Sequence, residues 1–153
     1  MRDWKILIWR SVGGGAAILA MYFLAGFGET PLMLVPFATS IVLVLGLPEA
    51  PPSQPRALVG GHLISAAVGI GIAFIAGPSP WAAAAAVGLA MAAMHLTRTF
   101  HPPAGIDPLI IVNEHLSWTF LFIPVAAGAM LLTCFAFLWH RISGEQHWPR
   151  FWW

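Results

Sequence analysis

Apolar residues are grouped along this chain into long runs, separated by short polar or proline-rich connections. Four runs, at residues 6–25, 57–76, 81–99 and 118–139, approach or reach the roughly 20 apolar residues that a membrane-spanning helix needs. Two further runs, at 32–47 and 103–112, are shorter and contain an internal proline. The pattern predicts an all-α membrane protein, a helical bundle of four full transmembrane helices plus two short or broken membrane segments.

The composition supports a membrane protein. Of 153 residues, 59% are hydrophobic and only 8% are charged, whereas about a quarter of the residues in a soluble domain are charged. Such a chain cannot cover a water-exposed surface, so we expect one transmembrane domain over residues 1–153, with the lipid bilayer as its surroundings. The net charge of +1 gives no basis for nucleic-acid binding.

The distribution of basic residues predicts the topology. If both short segments cross the membrane, all seven Lys and Arg side chains lie on one side. The connections on the other side then carry no Lys or Arg; they are residues 26–31, 77–80 and 113–117. The positive-inside rule then places both termini in the cytoplasm, and we expect a multi-pass protein of a bacterial inner membrane. Without a crossing at 103–112, Arg141 and Arg150 would lie outside, so six crossings are favoured over a four-helix count.

The order of segment lengths is long, short, long, and then the same again. Residues 1–77 and 78–153 are therefore candidate three-segment repeats, and an odd number of crossings in each makes the second inverted. Broken segments at matching positions of inverted repeats are typical of a transporter site. The alternative is a chance alternation of lengths, because direct identity between the halves is poor.

Small residues recur at a spacing of four along two of the predicted helices. Small side chains let helix backbones approach closely, which is how helices associate in lipid. The two stripes are Gly61, Ser65, Gly69 and Ala73, and Ala84, Gly88 and Ala92. Both are interpreted as faces of helix–helix contact.

The sequence His-Pro-Pro-Ala-Gly at 101–105 interrupts the membrane region. Proline cannot continue a helix but is tolerated in the first turn of the next one. The amides of Ala104 and Gly105 would then be free of intrahelical partners and could bind an anion, with positive charge from Arg98 and His101. The alternatives are that Arg98 contacts lipid phosphate and that His101 caps the preceding helix.

The first half offers a matching weak point at Pro36, where Thr39 and Ser40 can supply hydroxyl groups to the same substrate. Ordinary helix back-bonding is the alternative for both hydroxyls. His62 lies on the inner part of a helix rich in small residues and is either a further substrate ligand or a structural histidine. Asp107 is a candidate proton-coupling group, since a buried carboxylate resists ionisation.

These residues resemble those of the HPP family of small membrane proteins, named for the His-Pro-Pro motif. The resemblance covers most of the chain and rests on several motifs in order. They are Pro48-Glu49, Gln54-Pro55-Arg56, Gly60-Gly61-His62, Leu96-Thr97-Arg98-Thr99 and the 101–105 motif. Members in cyanobacteria and plastids are implicated in nitrite transport, so the resemblance implies nitrite as the leading substrate. Those members continue with small or hydroxyl residues, whereas Ile106-Asp107-Pro108 stands here.

Together these observations predict a transporter or channel for a small inorganic anion. The alternative is a structural or accessory membrane subunit without transport activity. Self-association as a homo-oligomer is open in either case. No spacing of His, Asp and Glu matches a compact metal site, and no Ser-His-Asp or phosphate-loop pattern stands out along the chain. We therefore expect no enzymatic activity, no metal and no cofactor.

The topology can be tested by labelling. Single cysteines at Glu29 and Glu114, in a Cys134→Ala background, should both react with an impermeant thiol reagent added outside. Both positions lie in connections that the charge distribution assigns to the outer side. Labelling at Glu29 but not at Glu114 would rule out six crossings.

Overall fold

The computed structural model describes residues 4–25, 35–143 and 148–152. The connection that contains Glu29 lies outside them. Of the described residues, 83% are helical and none lies in a strand. The predicted all-α class is therefore confirmed.

Seven α-helices follow one another in the described parts of the chain. They are α1 (Trp4–Ala25), α2 (Val35–Gly46), α3 (Pro55–Ala76), α4 (Pro80–Leu96), α5 (Asp107–Asn113), α6 (Trp118–Phe120) and α7 (Ala127–Ser143). Short 3₁₀ turns at Pro51–Ser53 and Pro102–Ile106 precede α3 and α5. Prolines occupy the first turns of α3, α4 and α5, where the missing N–H would have no helical partner.

Three stretches are long and apolar enough to cross a membrane: Trp4–Phe23, Pro55–Ala76 and Trp118–Ile142. They correspond to three of the four predicted full helices. The fourth, α4, has only 17 residues and ends at Leu96, three residues before the predicted end. The chain turns away there, with Arg98 in a left-handed conformation (φ 57°).

The last predicted span is not a continuous α-helix. Ile123 has extended dihedral angles (φ −134°, ψ 114°) within Leu121–Ala126. The next residue is Pro124, which has no N–H and disfavours helical geometry in the residue before it. The expectation of an unbroken helix over 118–139 is thus corrected to two helical pieces joined at this break.

Several hydrogen bonds gather one end of the bundle, which we call the basic end. Arg10 Nη1 donates to the Gly46 carbonyl (2.9 Å) and Arg56 Nη2 donates to the Thr97 carbonyl (2.9 Å). The indole of Trp148 donates to the Ser53 carbonyl (3.1 Å). The early part of α1, the connection from α2 to α3, the end of α4 and the tail therefore lie together.

The segment from 102 to 113 runs away from the basic end. Asn113, its last residue, lines a recess together with Pro80, where α4 begins. The segment thus extends along the bundle to the opposite end, which is the path expected of a crossing segment. The number of membrane crossings and the compartment at each end stay predictions, as does the inverted repeat.

α3 is the central helix, and it packs most extensively on α4 and α5. One apolar core joins α1, α2, α3 and α7 around Phe37, Ile41 and Leu132. A second core joins α3 to α4, α5 and the α6–α7 region around Ala66, Ile111 and Phe120. The two cores place α2 and residues 101–111, which we call the motif segment, on neighbouring sides of α3.

The two small-residue stripes behave differently. Gly61, Ser65, Gly69 and Ala73 are buried, and the first three lie against the segment 99–111. The prediction of close contact is confirmed for this stripe. It is wrong for Ala84, Gly88 and Ala92, which are exposed, because α4 turns its other small residues, Ala82, Ala83, Ala86 and Ala90, inward.

Gly69 gives a direct test of this packing. A Cβ there would lie 2.7 Å from Pro108 Cα and 3.0 Å from Pro108 Cβ, whereas a Cβ on Gly71 would meet nothing within 4 Å. We expect Gly69→Leu to destabilise the bundle by about 1–3 kcal/mol or more, because the contact is with backbone. Melting of the purified protein in detergent measures this, and Gly71→Leu is the matched control. Equal melting temperatures for both variants would contradict the close approach.

Candidate functional site

The centre of the candidate site is the hydroxyl group of Ser40 on α2. Its Oγ lies 2.9 Å from His62 Nε2 on α3 and 2.9 Å from His101 Nε2 in the motif. It also lies 2.9 Å from the Pro36 carbonyl oxygen, one helical turn earlier. One hydroxyl therefore joins three separate parts of the chain.

The hydrogen-bonded chain continues in both directions from Ser40. His62 Nδ1 lies 2.8 Å from Asp107 Oδ2, at the start of α5. His101 Nδ1 lies 2.7 Å from the Pro52 carbonyl oxygen, in the connection at the basic end. Asp107, His62, Ser40 and His101, which we call the polar chain, thus extend from the bundle interior to the basic end.

All four side chains of the polar chain are completely buried, with 0% exposure. His62 lies seven residues into α3, about 10 Å from the helix start at 1.5 Å per residue, within the apolar part of the bundle. The ring of Phe37 packs on His62, with the ring centroids 4.7 Å apart. Ionisable groups buried in a membrane protein are costly and usually functional.

Glycine and serine on α3 bring the motif segment to this position. A Cβ on Gly61 would lie 2.6 Å from His101 Cβ and 2.9 Å from the Thr99 carbonyl oxygen, so only glycine leaves room here. Ser65 Oγ donates to the Ala104 carbonyl (2.6 Å). The small-residue stripe therefore sets the distance of His101 and Asp107 from His62.

One oxygen of Asp107 stands apart from this pairing. Asp107 Oδ1 is buried and has no hydrogen-bond partner, whereas Oδ2 faces His62. An unpaired oxygen costs more on a carboxylate than on a carboxylic acid, because the negative charge requires solvation. The pairing therefore favours a proton shared between Asp107 and His62.

The structure brings together four of the predicted site residues, namely Ser40, His62, His101 and Asp107. The prediction that the amide of Ala104 is free of hydrogen-bond partners is wrong. Its N–H donates to the His101 carbonyl (3.0 Å), because the 3₁₀ turn closes on itself, and Ala104 is fully buried. Gly105 does have open space beside its Cα.

The remaining predicted residues lie at the edge of the site. Arg98 is exposed and is not part of the polar chain. Thr39 is exposed and donates to the Pro36 carbonyl (2.9 Å), which is the back-bonding alternative. Thr39 also lines a recess of about 430 Å³ with Leu43, Pro102, Pro103 and Ile106. Two residues that line this recess, Thr39 and Pro102, are the sequence neighbours of Ser40 and His101.

Sequence reasoning missed two features of the site. The carbonyl of Pro52 carries no side-chain signal, so its bond to His101 could not be anticipated. Ser40, His62 and Asp107 also have the order and spacing of a nucleophile, a base and an acid. Residues that are 22 and 45 positions apart give no local motif, and their approach depends on the tertiary packing.

The arrangement limits the available chemistry. Within the described residues no three His, Cys, Asp or Glu side chains are grouped to hold a metal ion. Ser40 is enclosed on all sides, and its hydroxyl also faces His101 and the Pro36 carbonyl. Any substrate or ion would have to reach these enclosed groups, whereas proton transfer between them needs no such access.

The fold and the site define a small helical membrane protein with a buried polar centre. The chain belongs to the HPP family, whose transmembrane region it matches over residues 1–149. It is similar to two transmembrane proteins of Dictyostelium discoideum, at 35% and 30% identity over 155 aligned positions. Each alignment covers 95% of this chain, and the chain spans about half of each relative, 50% and 54%. No solved structure matches it.

Removal of His62 tests whether the polar chain stabilises the bundle. His62→Ala leaves both Ser40 and Asp107 Oδ2 without this partner, and each buried group so affected costs about 1–3 kcal/mol. We expect a clearly lower melting temperature in detergent than for His95→Ala. His95 is exposed and stacks on Phe100, so it controls for loss of an imidazole. Equal stability of the two variants would contradict the buried pairing.

Proposed function

We propose that this protein transports a small inorganic anion across the membrane through the region where α2, α3 and the motif segment meet. One observation carries the proposal: four fully buried polar side chains converge there from discontinuous segments. Discontinuous segments that line a polar site near mid-membrane are characteristic of transporters. A purely structural subunit has no evident need for such a costly centre.

The chemistry of the site favours an anion. His101 and Ser40 can both donate hydrogen bonds, and an imidazolium form of His101 would add positive charge. At the basic end, Arg10 pairs with Glu49, whereas Arg56 and the exposed Arg98 add positive charge. Clustered positive charge raises the local concentration of anions. Nitrite, a small planar acceptor of hydrogen bonds, is the leading substrate.

Access to the site requires movement. Ser40 and His101 are enclosed, whereas their sequence neighbours Thr39 and Pro102 line an open recess. The motif segment begins with a short 3₁₀ turn, and α2 has only 12 residues. A displacement of either would open the polar chain to the recess. This arrangement favours a carrier over a permanently open channel.

Catalysis is not part of the proposal. The alignment of Ser40, His62 and Asp107 is the observation that would favour a hydrolase, but Ser40 Oγ also lies 2.9 Å from His101 Nε2 and from the Pro36 carbonyl oxygen, so its hydrogen is not held for a single base. The same three groups are explained by proton exchange with the substrate pathway. Asp107 is the proposed coupling group.

Uptake into proteoliposomes tests the transport proposal. Nitrite, nitrate, formate and bicarbonate are offered to vesicles with reconstituted wild-type protein, with protein-free vesicles as the background. We expect uptake of at least one anion and an approximately tenfold or greater loss in His101→Gln and Ser40→Ala, which remove about 1.4 kcal/mol or more of binding or transition-state energy.

Matched controls separate the site from general damage. His95→Gln changes an exposed histidine, and Thr133→Ala removes a hydroxyl that bonds one turn back to Ala129 in α7. Both should transport like the wild type. Folded wild-type protein that moves none of the four anions would favour the structural or accessory alternative. Wild-type rates in both His101→Gln and Ser40→Ala would place the pathway elsewhere.

A further inference from the structure

The contacts of His101 determine where one proton of the polar chain lies. Its Nδ1 is 2.7 Å from the Pro52 carbonyl oxygen, and a carbonyl can only accept a hydrogen bond. Nδ1 therefore carries a hydrogen. A neutral His101 then has its lone pair on Nε2, which faces Ser40 Oγ at 2.9 Å.

Ser40 has one hydrogen but three neighbours that could accept it. They are the Pro36 carbonyl oxygen, His62 Nε2 and His101 Nε2, each 2.9 Å from Oγ. Any imidazole nitrogen that does not receive the Ser40 hydrogen must itself donate to Oγ, or a buried lone pair stays unsatisfied. The position of one hydroxyl hydrogen therefore determines the protonation of both histidines.

In the first arrangement Ser40 donates to His101. His62 then carries a hydrogen on Nε2, and its Nδ1 shares one further proton with Asp107 Oδ2 at 2.8 Å. This proton lies either on a neutral carboxylic acid or on an imidazolium paired with a carboxylate. The net charge is zero in both cases, and the first of them contains no charged group at all.

In the second arrangement Ser40 donates to His62. His62 then carries its hydrogen on Nδ1, which donates to the Asp107 carboxylate, and His101 carries hydrogens on both nitrogens. The net charge is again zero, and the number of protons is unchanged. The two arrangements differ by linked proton shifts. The proton shared with Asp107 lies on His62 Nδ1, the His62 Nε2–H hydrogen passes to Ser40 Oγ, and the Ser40 hydrogen passes to His101 Nε2.

We propose that Asp107, His62, Ser40 and His101 form a proton relay, and that the proton is the ion coupled to anion transport. The relay stands on the geometry alone, whereas the coupling rests on the proposed function. Transfer from His62 to His101 moves positive charge towards the basic end, since His101 bonds to the connection there. No electron is gained or lost, and no external reactant is needed.

The third arrangement explains why a proton and an anion would move together. When Ser40 donates to the Pro36 carbonyl, both Nε2 atoms must carry hydrogens, so the polar chain holds one more proton and a net charge of +1. An uncompensated buried charge is strongly unfavourable. A bound anion next to His101 offsets it, which gives one proton for each monovalent anion.

The residues packed around the relay are mainly uncharged. Among the described residues, the titratable groups seen to hydrogen-bond within the relay are His62, His101 and Asp107. Phe37 faces His62 from α2, and Gly61 and Ser65 face the motif from α3. At the basic end, Arg10 and Glu49 pair with each other and His140 bonds to the Val44 carbonyl.

Nitrogen NMR of ¹⁵N-histidine protein in liposomes tests the relay without any substrate. We expect His101 protonated on Nδ1 with His62 protonated on Nε2 or on both nitrogens, or His101 protonated on both nitrogens with His62 on Nδ1, or an exchange average of these states. His62→Gln and His101→Gln assign the signals, and Thr133→Ala should leave them unshifted. Nδ1-only protonation of both rings would leave two bare nitrogens facing Ser40 and would overturn the relay. So would a His101 protonated on Nε2 only.

A pH gradient across proteoliposomes tests the coupling. Initial rates of nitrite and nitrate uptake are measured with and without an inward proton gradient, after subtraction of passive entry into protein-free vesicles. The gradient should accelerate uptake by the wild type. In Asp107→Asn the ratio of the rates with and without the gradient should fall to about one, whatever the downhill rate of this variant. Glu114→Gln, which changes an exposed carboxylate, should respond like the wild type.

The outcomes distinguish the two proposals. Anion uptake by the wild type that ignores the proton gradient would overturn the coupling and leave anion transport intact. An unchanged gradient response in Asp107→Asn would exclude that carboxyl group from the relay. Absence of uptake for every anion would overturn the proposed function and the coupling with it, and the NMR result would then decide the relay alone.

Discussion

The close approach of the segment 99–111 to the small-residue face of α3 is the contact on which the rest of the structure depends. Gly61 and Gly69 leave room for backbone and Cβ atoms that any larger side chain would displace. Ser65 adds a hydrogen bond to the same segment. In a bilayer, helices gain little from burying apolar surface against each other, so such tight packing has to supply the association energy.

That contact brings costly groups into the bundle, and the structure compensates by pairing them. Helix breaks at the motif and at Ile123 leave backbone groups that lipid cannot satisfy. At the motif, the 3₁₀ turn and Ser65 satisfy part of this need. The side chains form a continuous series of hydrogen bonds from Asp107 to the Pro52 carbonyl. Ser40 holds the series together, because its Oγ lies 2.9 Å from the Nε2 atom of each histidine.

The position of Ser40 also connects structure to transport. Its hydroxyl hydrogen has three acceptors in reach, so small rearrangements redistribute protons without breaking the bundle. α2, which carries Ser40, is short and contains Pro36 in its first turn. A movement of α2 would therefore change the protonation of the polar chain and its access to the nearby recess together. Such a link between a moving segment and a proton site is what a coupled carrier needs.

The amino-acid sequence by itself determined the class of protein, three of the long membrane helices, the helix break at the motif and the small-residue face of α3. These depend on local properties, namely apolar run length, the missing N–H of proline and the size of glycine. It also identified Ser40, His62, His101 and Asp107 as separate candidates. Their assembly was decided only by the tertiary structure, since residues up to 61 positions apart had to meet.

The wrong predictions also concern features that tertiary packing decides. Both stripes on α3 and α4 have small residues at the right spacing, and the sequence cannot say which face of α4 turns inward. The amide of Ala104 was expected to be free, but the geometry of a turn depends on backbone angles that the sequence pattern does not report. Thr39 and Ser40 are adjacent and chemically alike, yet one is exposed and the other is fully buried. The orientation of α2 against α3 makes that choice, because packing rather than residue type decides which hydroxyl faces the histidines.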